Sequence, residues 1–207
     1  MILPVEVFGA IETISYFYID KETMHGFLID PGAEAEKLLK IIEEKKFTVE
    51  KILLTHGHFD HIGAAKEIQE KLNIPICMQK NGADYVKNPA WNLSAFFNLN
   101  MTLDKITYLE DYSNIFLSVN PNFSLQIIPV AGHTTDGAIY YSEKENFAFV
   151  GDSIFRRSVG RTDFPGGDEK ILFENIRTKI LTLPDDTLLL SGHSEPTTVG
   201  EEKIFFI

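Results

Sequence analysis

The chain has 207 residues, 44% of them hydrophobic and 12% aromatic, with 30 Asp plus Glu against 19 Lys plus Arg for a formal net charge of −11. Nucleic-acid binders concentrate positive surface, so this balance argues against a polyanionic partner, and a single cysteine excludes an internal disulfide. The length suits one domain over residues 1–207, since no Pro/Gly/Ser-rich linker or short-period repeat divides it.

Residues 1–6 lack a basic flank and a long apolar run, so neither a signal peptide nor a membrane span is expected and the cytoplasm is the expected setting. Residues 11–20 and 24–30 read as a hairpin turning at 20–23, with the second strand ending at Pro31 and Gly32. His25, inside that strand, reads as a structural histidine satisfied by hydrogen bonds. A helix is expected over 33–46, with Leu38, Leu39, Ile41 and Ile42 on one face and charges ordered as the helix dipole favours. Residues 51–55 have strand character. Asp60 is expected to cap a helix whose apolar positions Ile62, Ala65, Ile68 and Leu72 recur at helical spacing before Pro75. A strand near 74–78 holds Cys77, whose expected role is packing. Further strands are expected at 125–130, 138–142, 147–150 and 188–190, and a helix starting at Asp168 with Ile171, Ile176 and Ile180 among its buried positions.

The densest chemistry lies in Thr55-His56-Gly57-His58-Phe59-Asp60-His61. Burying three imidazoles and a carboxylate together is costly unless a cation compensates them. A strand's period of two puts His56 and His58 on one side, able to grip one ion, while Asp60 and His61 aim at a second point nearby. Surface histidines in a polar loop are the plainer reading, but a run this dense favours metal ligation. Three other strands are each followed by a glycine and then a metal-capable residue: Gly132-His133, Gly151-Asp152 and Gly192-His193. Strand ends in helix-covered sheets are where sites assemble.

These motifs resemble those of the metallo-β-lactamase fold superfamily, and the segments from Gly151 to Asp168 and from Pro196 to Glu202 are similar to its glyoxalase II (hydroxyacylglutathione hydrolase) branch. The resemblance implies an α/β (α+β) fold, a four-layer αββα sandwich. It also implies two divalent transition-metal ions, zinc first with iron or manganese compatible: one held by His56, His58 and His133, the other by Asp60, His61 and His193, with Asp152 bridging. Asp60 and Asp152 are then the catalytic carboxylates, a metal-bridging hydroxide is the nucleophile, and the expected substrate is a small-molecule thioester such as S-lactoylglutathione. Arg161 is the expected anchor for a substrate carboxylate, and the stretch around Trp91 is a lid candidate as well as a core-packing one. Asp163 stands at a tyrosine position of the family, Asp136 at a glycine, and Glu195 alters the segment after His193; with the short stretch beyond His193, these point to the compact single-domain type. Two other readings stay open. Persulfide dioxygenases share a segment like that from Gly160 to Phe164 but use one iron. A metal-stabilised binding protein without turnover would need its sites closed by protein ligands.

Overall fold

A computed structural model describes residues 1–206. The first half builds a six-stranded sheet in the order β1-β2-β3-β4-β5-β6, from β1 (Ile2–Phe8), β2 (Glu12–Ile19), β3 (His25–Ile29), β4 (Thr48–Leu53), β5 (Ile76–Gln79) and β6 (Ile106–Leu109). The hairpin of β2 and β3 is antiparallel, whereas β3, β4, β5 and β6 run parallel. Helices α1 (Ala35–Lys45), α2 (Phe59–Ile62), α3 (Ala65–Leu72) and α4 (Ala83–Val86) belong to this half. The second half gives another six-stranded sheet, β14-β13-β10-β9-β8-β7, from β7 (Asn114–Phe116), β8 (Ser124–Pro129), β9 (Ala138–Ser142), β10 (Phe147–Gly151), β13 (Leu188–Ser191) and β14 (Thr197–Thr198). A ribbon of β11 (Ile154–Phe155) and β12 (Ser158–Val159) and helices α5 (Glu169–Asn175) and α6 (Val199–Phe206) complete it.

Alternation along the strands sorts the apolar residues into three layers. Tyr16, Tyr18, Phe27 and Ile29 face Tyr140, Phe147 and Phe149 between the sheets, while the intervening Phe17, Ile19 and Leu28 pack with Leu38, Ile42 and Ile68 under α1 and α3. On the far side, Ile139, Ala148 and Val150 pack with Leu172, Ile176 and Val199 from α5, the turn beyond it, and α6. These layers make the αββα sandwich. Each such side chain contributes roughly 1.5–3 kcal/mol on burial.

Two hydrogen bonds tie the sheets together next to the strand ends. Tyr16 donates to the Ser191 carbonyl at 2.7 Å and Tyr140 to the Leu54 carbonyl at 2.8 Å. Each carbonyl lies two residues before a histidine of the candidate site, so the sandwich's own bonds set the reach of His56 and His193.

Several expectations need correction. Asp60 is not a cap: the helix begins earlier, with His58 at the N-cap position and no side-chain cap. The expected single helix is broken at Gly63 and Ala64, where the Ala64 amide leaves to bond the Pro31 carbonyl. Asp168 does cap α5, accepting from the Ile171 amide at 3.0 Å, but Ile171 is 48% exposed; Ile176 and Ile180 are the buried ones. The strand β1 lies where no element is expected, and it contains Pro4. It is an edge strand, where proline is tolerated. The Glu6 carbonyl accepts from Lys37 and the Phe8 amide bonds Glu34, so alternate residues of β1 turn their polar groups outward and Pro4 shares that register without an N–H. His25 pairs with Glu50 at 2.8 Å and Cys77 is buried, both in structural roles.

Candidate metal centre

All seven expected ligands gather at one end of the sandwich. His56 and His58 leave β4, Asp60 and His61 lie in α2, and His133, Asp152 and His193 follow β8, β10 and β13. Glycine is required where backbones crowd this end. Gly151 has φ +50°, and a Cβ there would sit 2.3 Å from Thr55 Oγ1; at Gly192 one would sit 2.6 Å from His61 Cε1.

The side chains form two adjoining groups. His58 Nδ1 lies 3.1 Å from His56 Nε2 and 3.0 Å from His133 Nε2. His193 Nε2 lies 3.3 Å from His61 Nε2 and 3.2 Å from Asp60 Oδ2. Asp152 stands between, with Oδ1 at 3.2 Å from His61 Nε2 and Oδ2 at 3.4 Å from His193 Nε2 and 3.7 Å from His133 Nε2. In each group the donor atoms lie within 4.8 Å of one another, as does a third combination of His56, His61 and Asp152.

Hydrogen bonds behind the rings fix which nitrogen faces inward. His133 Nδ1 lies 2.6 Å from the Arg161 carbonyl, His193 Nδ1 2.7 Å from the Glu12 carbonyl, and His61 Nδ1 2.9 Å from Asp30 Oδ2. Carbonyl and carboxylate oxygens only accept, so each Nδ1 carries a hydrogen and a neutral ring presents a bare Nε2 to the centre. Asp30 is itself buried and φ-positive, and takes the Thr55 amide at 2.8 Å and the Thr55 hydroxyl at 2.6 Å.

Inward lone pairs at 3.0–3.3 Å cannot all be paired with one another. Asp152 Oδ1 is buried with no hydrogen bond of acceptable geometry. A cation in each group would satisfy both, so the residues fit divalent metal ions.

Protein groups alone polarise the two groups oppositely. Burial, reinforced by neighbouring histidines, holds His56 well below the ordinary imidazole range, and burial with His133 beside it takes His58 down to about 3. Burial also opposes charge on His61 and His193, but the facing carboxylates outweigh it, raising His61 well above its usual value and His193 to about 9. Asp60 and Asp152 feel the same burial and are nevertheless held low by His61 and His193. The Asp60 side therefore holds protons that a cation would displace.

A cavity of about 470 Å³ opens onto these groups. Its wall includes Ile11, Phe96, Phe97, Phe155, Val159 and Phe164. Of the stretch around Trp91, only Leu93, Phe96 and Phe97 reach the wall; Trp91 packs edge-on against Tyr85 at 5.3 Å. Arg161 reaches it too, with its guanidinium 4.4 Å over the Phe164 ring and forked onto Asp163 at 2.9 and 2.6 Å.

The sequence matches the profile of the Metallo-beta-lactamase superfamily over residues 12–193. The chain belongs to that superfamily. It is 35% identical over 196 residues to the probable metallo-hydrolase YqgX of Bacillus subtilis, covering 94% of this chain and 91% of the other. It is 33% identical to the hydroxyacylglutathione hydrolase GloC of Haemophilus influenzae, covering 98% and 93%. Among solved structures, the BLEG-1 B3 metallo-beta-lactamase superposes with a TM-score of 0.91 at 32% identity, covering 99% of this chain and 97% of that one. TTHA1623 in a di-iron-bound form gives 0.84 at 31%, covering 97% and 96%, and ETHE1 from Myxococcus xanthus 0.78 at 25%, covering 97% and 81%. At the general level, the superfamily member described here is a metal-dependent hydrolase with a His/Asp site for divalent ions. Among the described residues, no helix is long and apolar enough to cross a membrane.

Motif reading found the seven ligand candidates but missed Asp30 and the two backbone acceptors. Nothing marks Glu12 or Arg161 in sequence as carbonyl partners. The Asp30-Pro31-Gly32 turn straight after an apolar strand was the available signal for Asp30, the same strand-end logic that picked out Asp152.

Proposed function

We propose that this protein is a thioester hydrolase working with two divalent transition-metal ions, one of which His56, His58 and His133 would hold and the other Asp60, His61 and His193, with Asp152 placed between the two groups. What carries the reading is the cavity wall. Apart from its metal-capable side chains, Arg161 is the only ionisable residue lining it among the described residues. A group leaving from this cavity meets no side chain set aside to protonate it. Thiolates leave readily near neutral pH without such help, because a thiol's pKa lies far below that of an alcohol or amine leaving group.

When bound, the ions supply Lewis acidity and lower the pKa of a solvent molecule. The chain's own groups do the remainder. His133, His61 and His193 are held from behind by acceptors that keep their Nε2 atoms inward, Asp60 and Asp152 keep negative charge at the centre, and the apolar wall offers a surface for the substrate's hydrocarbon. In the overall reaction a water oxygen bonds the acyl carbon and gives up one proton, the C–S bond breaks with its electron pair going to sulphur, and the acid formed loses the second proton; one proton is taken up by the thiolate or by solvent and the other goes to solvent. The substrate is a small molecule: a cavity of about 470 Å³ in a chain of net charge −11 is unsuited to a polyanion. Zinc is the first metal to test; iron also suits His-rich donors, and the similar TTHA1623 has a di-iron-bound form.

A mononuclear-iron persulfide dioxygenase is the second reading, favoured by the segment from Gly160 to Phe164 and the likeness to ETHE1. Metal analysis combined with a substrate panel separates the two. The expected result is close to two metal ions per chain with hydrolysis of S-lactoylglutathione or a simpler thioester. One tightly held iron with oxygen uptake on glutathione persulfide would replace the hydrolase reading. Turnover of a chromogenic cephalosporin in preference to every thioester would move the assignment towards the activity named for BLEG-1.

A further inference from the structure

Resting on the thioesterase reading and deepening it, we propose that the substrate carries an apolar acyl group, and that the site does not recruit a carboxylate of the thiol carrier because Asp163 already occupies Arg161. The cavity next to the metal-capable residues is walled by aromatic and aliphatic side chains. Phe155 flanks His193 at 6.1 Å and Phe164 flanks His58 at 6.0 Å between ring centroids. Opposite them, Phe97 packs on Phe59 at 4.7 Å, with Ile11 and Phe96 beside it.

These residues are open to solvent at the mouth: Phe96 is 74% exposed, Phe97 42% and Ile11 41%. Such a wall gains from covering hydrocarbon and gains nothing from the hydroxyl of a lactoyl group. Each methylene removed from water is worth about fourfold in binding.

The carrier end follows from charge. A glutathione carrier brings two carboxylates, and among the described residues the one cationic side chain of the cavity wall outside the metal-capable set is Arg161. Its fork is filled by Asp163 in the two-point geometry that a substrate carboxylate would use, and its face is taken by Phe164. The pair is open to solvent, with side chains 66% and 64% exposed, so releasing the arginine changes carboxylate binding by at most about fivefold.

The test uses the metal-loaded full chain and four thioesters: lactoyl and hexanoyl groups, each on glutathione and on neutral N-acetylcysteamine. The expected KM for hexanoyl is lower than for lactoyl by roughly tenfold or more on either carrier. Phe96→Ser, a change at an exposed position, is expected to shrink that ratio. In Asp163→Asn, the KM of the glutathione member relative to the N-acetylcysteamine member should fall, by up to about fivefold. A preference for lactoyl, or an Asp163→Asn change equal on both carriers, overturns the inference. If no thioester is hydrolysed, the thioesterase reading fails, and calorimetry with the thioethers S-hexylglutathione, S-methylglutathione and S-hexyl-N-acetylcysteamine still decides. Tighter binding of hexyl than methyl, with the glutathione member strengthened in Asp163→Asn, supports the inference; equal binding overturns it.

Discussion

The outward nitrogens of His61, His133 and His193 are committed to Asp30, the Arg161 carbonyl and the Glu12 carbonyl, and that commitment gives the inward atoms their donor character. Asp30→Asn tests it. One amide oxygen still accepts from the Thr55 backbone, but the new NH2 faces His61 Nδ1–H, donor against donor. The ring then moves its hydrogen to Nε2, the atom that faces His193 and Asp152. Loss of such an outer partner is expected to weaken metal binding and activity by about 10- to 100-fold. Metal content after dialysis reports it, and an unchanged content would remove Asp30 from that role. The raised values of His61 and His193 have a pH consequence as well. A ring with a raised pKa keeps its proton to higher pH, and a cation must displace it. Apparent affinity on the Asp60 side should therefore rise with pH until the His193 value of about 9 is passed, with protons released on binding below it. Titration calorimetry in two buffers of different ionisation heat measures the release; none at neutral pH would contradict the assignment. At this scale the ligand candidates could be read from the chain because they sit next to one another or directly after glycines. The strand-end position of Asp30 is visible too, but its pairing is not, because its partner His61 lies 31 positions away and the two meet only through the sheet.

Strands and helices were readable where period and punctuation agreed. The hairpin of β2 and β3, helix α1 and strand β9 fall within a few residues of expectation. Failures came where tertiary bonds override local pattern. The helix expected through residues 62–72 breaks because the Ala64 amide is drawn to the Pro31 carbonyl, a partner from another segment. The small strands β7, β11, β12 and β14 span two or three residues, too short for any period to register. Between elements, the Tyr140 hydroxyl carries a bond that no pattern reveals. Tyr140→Phe leaves the Leu54 carbonyl without that donor in a buried layer, at an expected cost of about 1–3 kcal/mol in denaturant unfolding. Because Leu54 lies two residues before His56, metal affinity should fall with it. A stability loss with unaltered affinity would separate the sheet contact from the site.

The whole molecule joins two differently made halves at the centre. Thr55 to His61 comes from the first sheet's side, while His133, Asp152 and His193 come from the second. Anything binding all of them binds only the assembled sandwich, so it stabilises the fold by mass action: a ligand at a hundred times its Kd adds about 2.7 kcal/mol. Exhaustive chelation is expected to lower the thermal midpoint, and readdition of zinc to restore it; a midpoint indifferent to metal would mean that the ions contribute nothing to holding the halves together. The layered architecture followed from family motifs rather than from periodicity, since no sequence pattern announced which sheet would lie against which.

The outer margin of the first sheet has a consequence for behaviour in concentrated solution. A long lateral strand normally invites a neighbouring chain to continue the ladder, the first event in fibrillar growth. Here Pro4 withholds one rung, and Lys37 and Glu34 reach over to occupy two more. This margin is thus guarded against edge-to-edge pairing by a lysine and a glutamate from around the start of α1, both remote from the metal-capable residues in sequence.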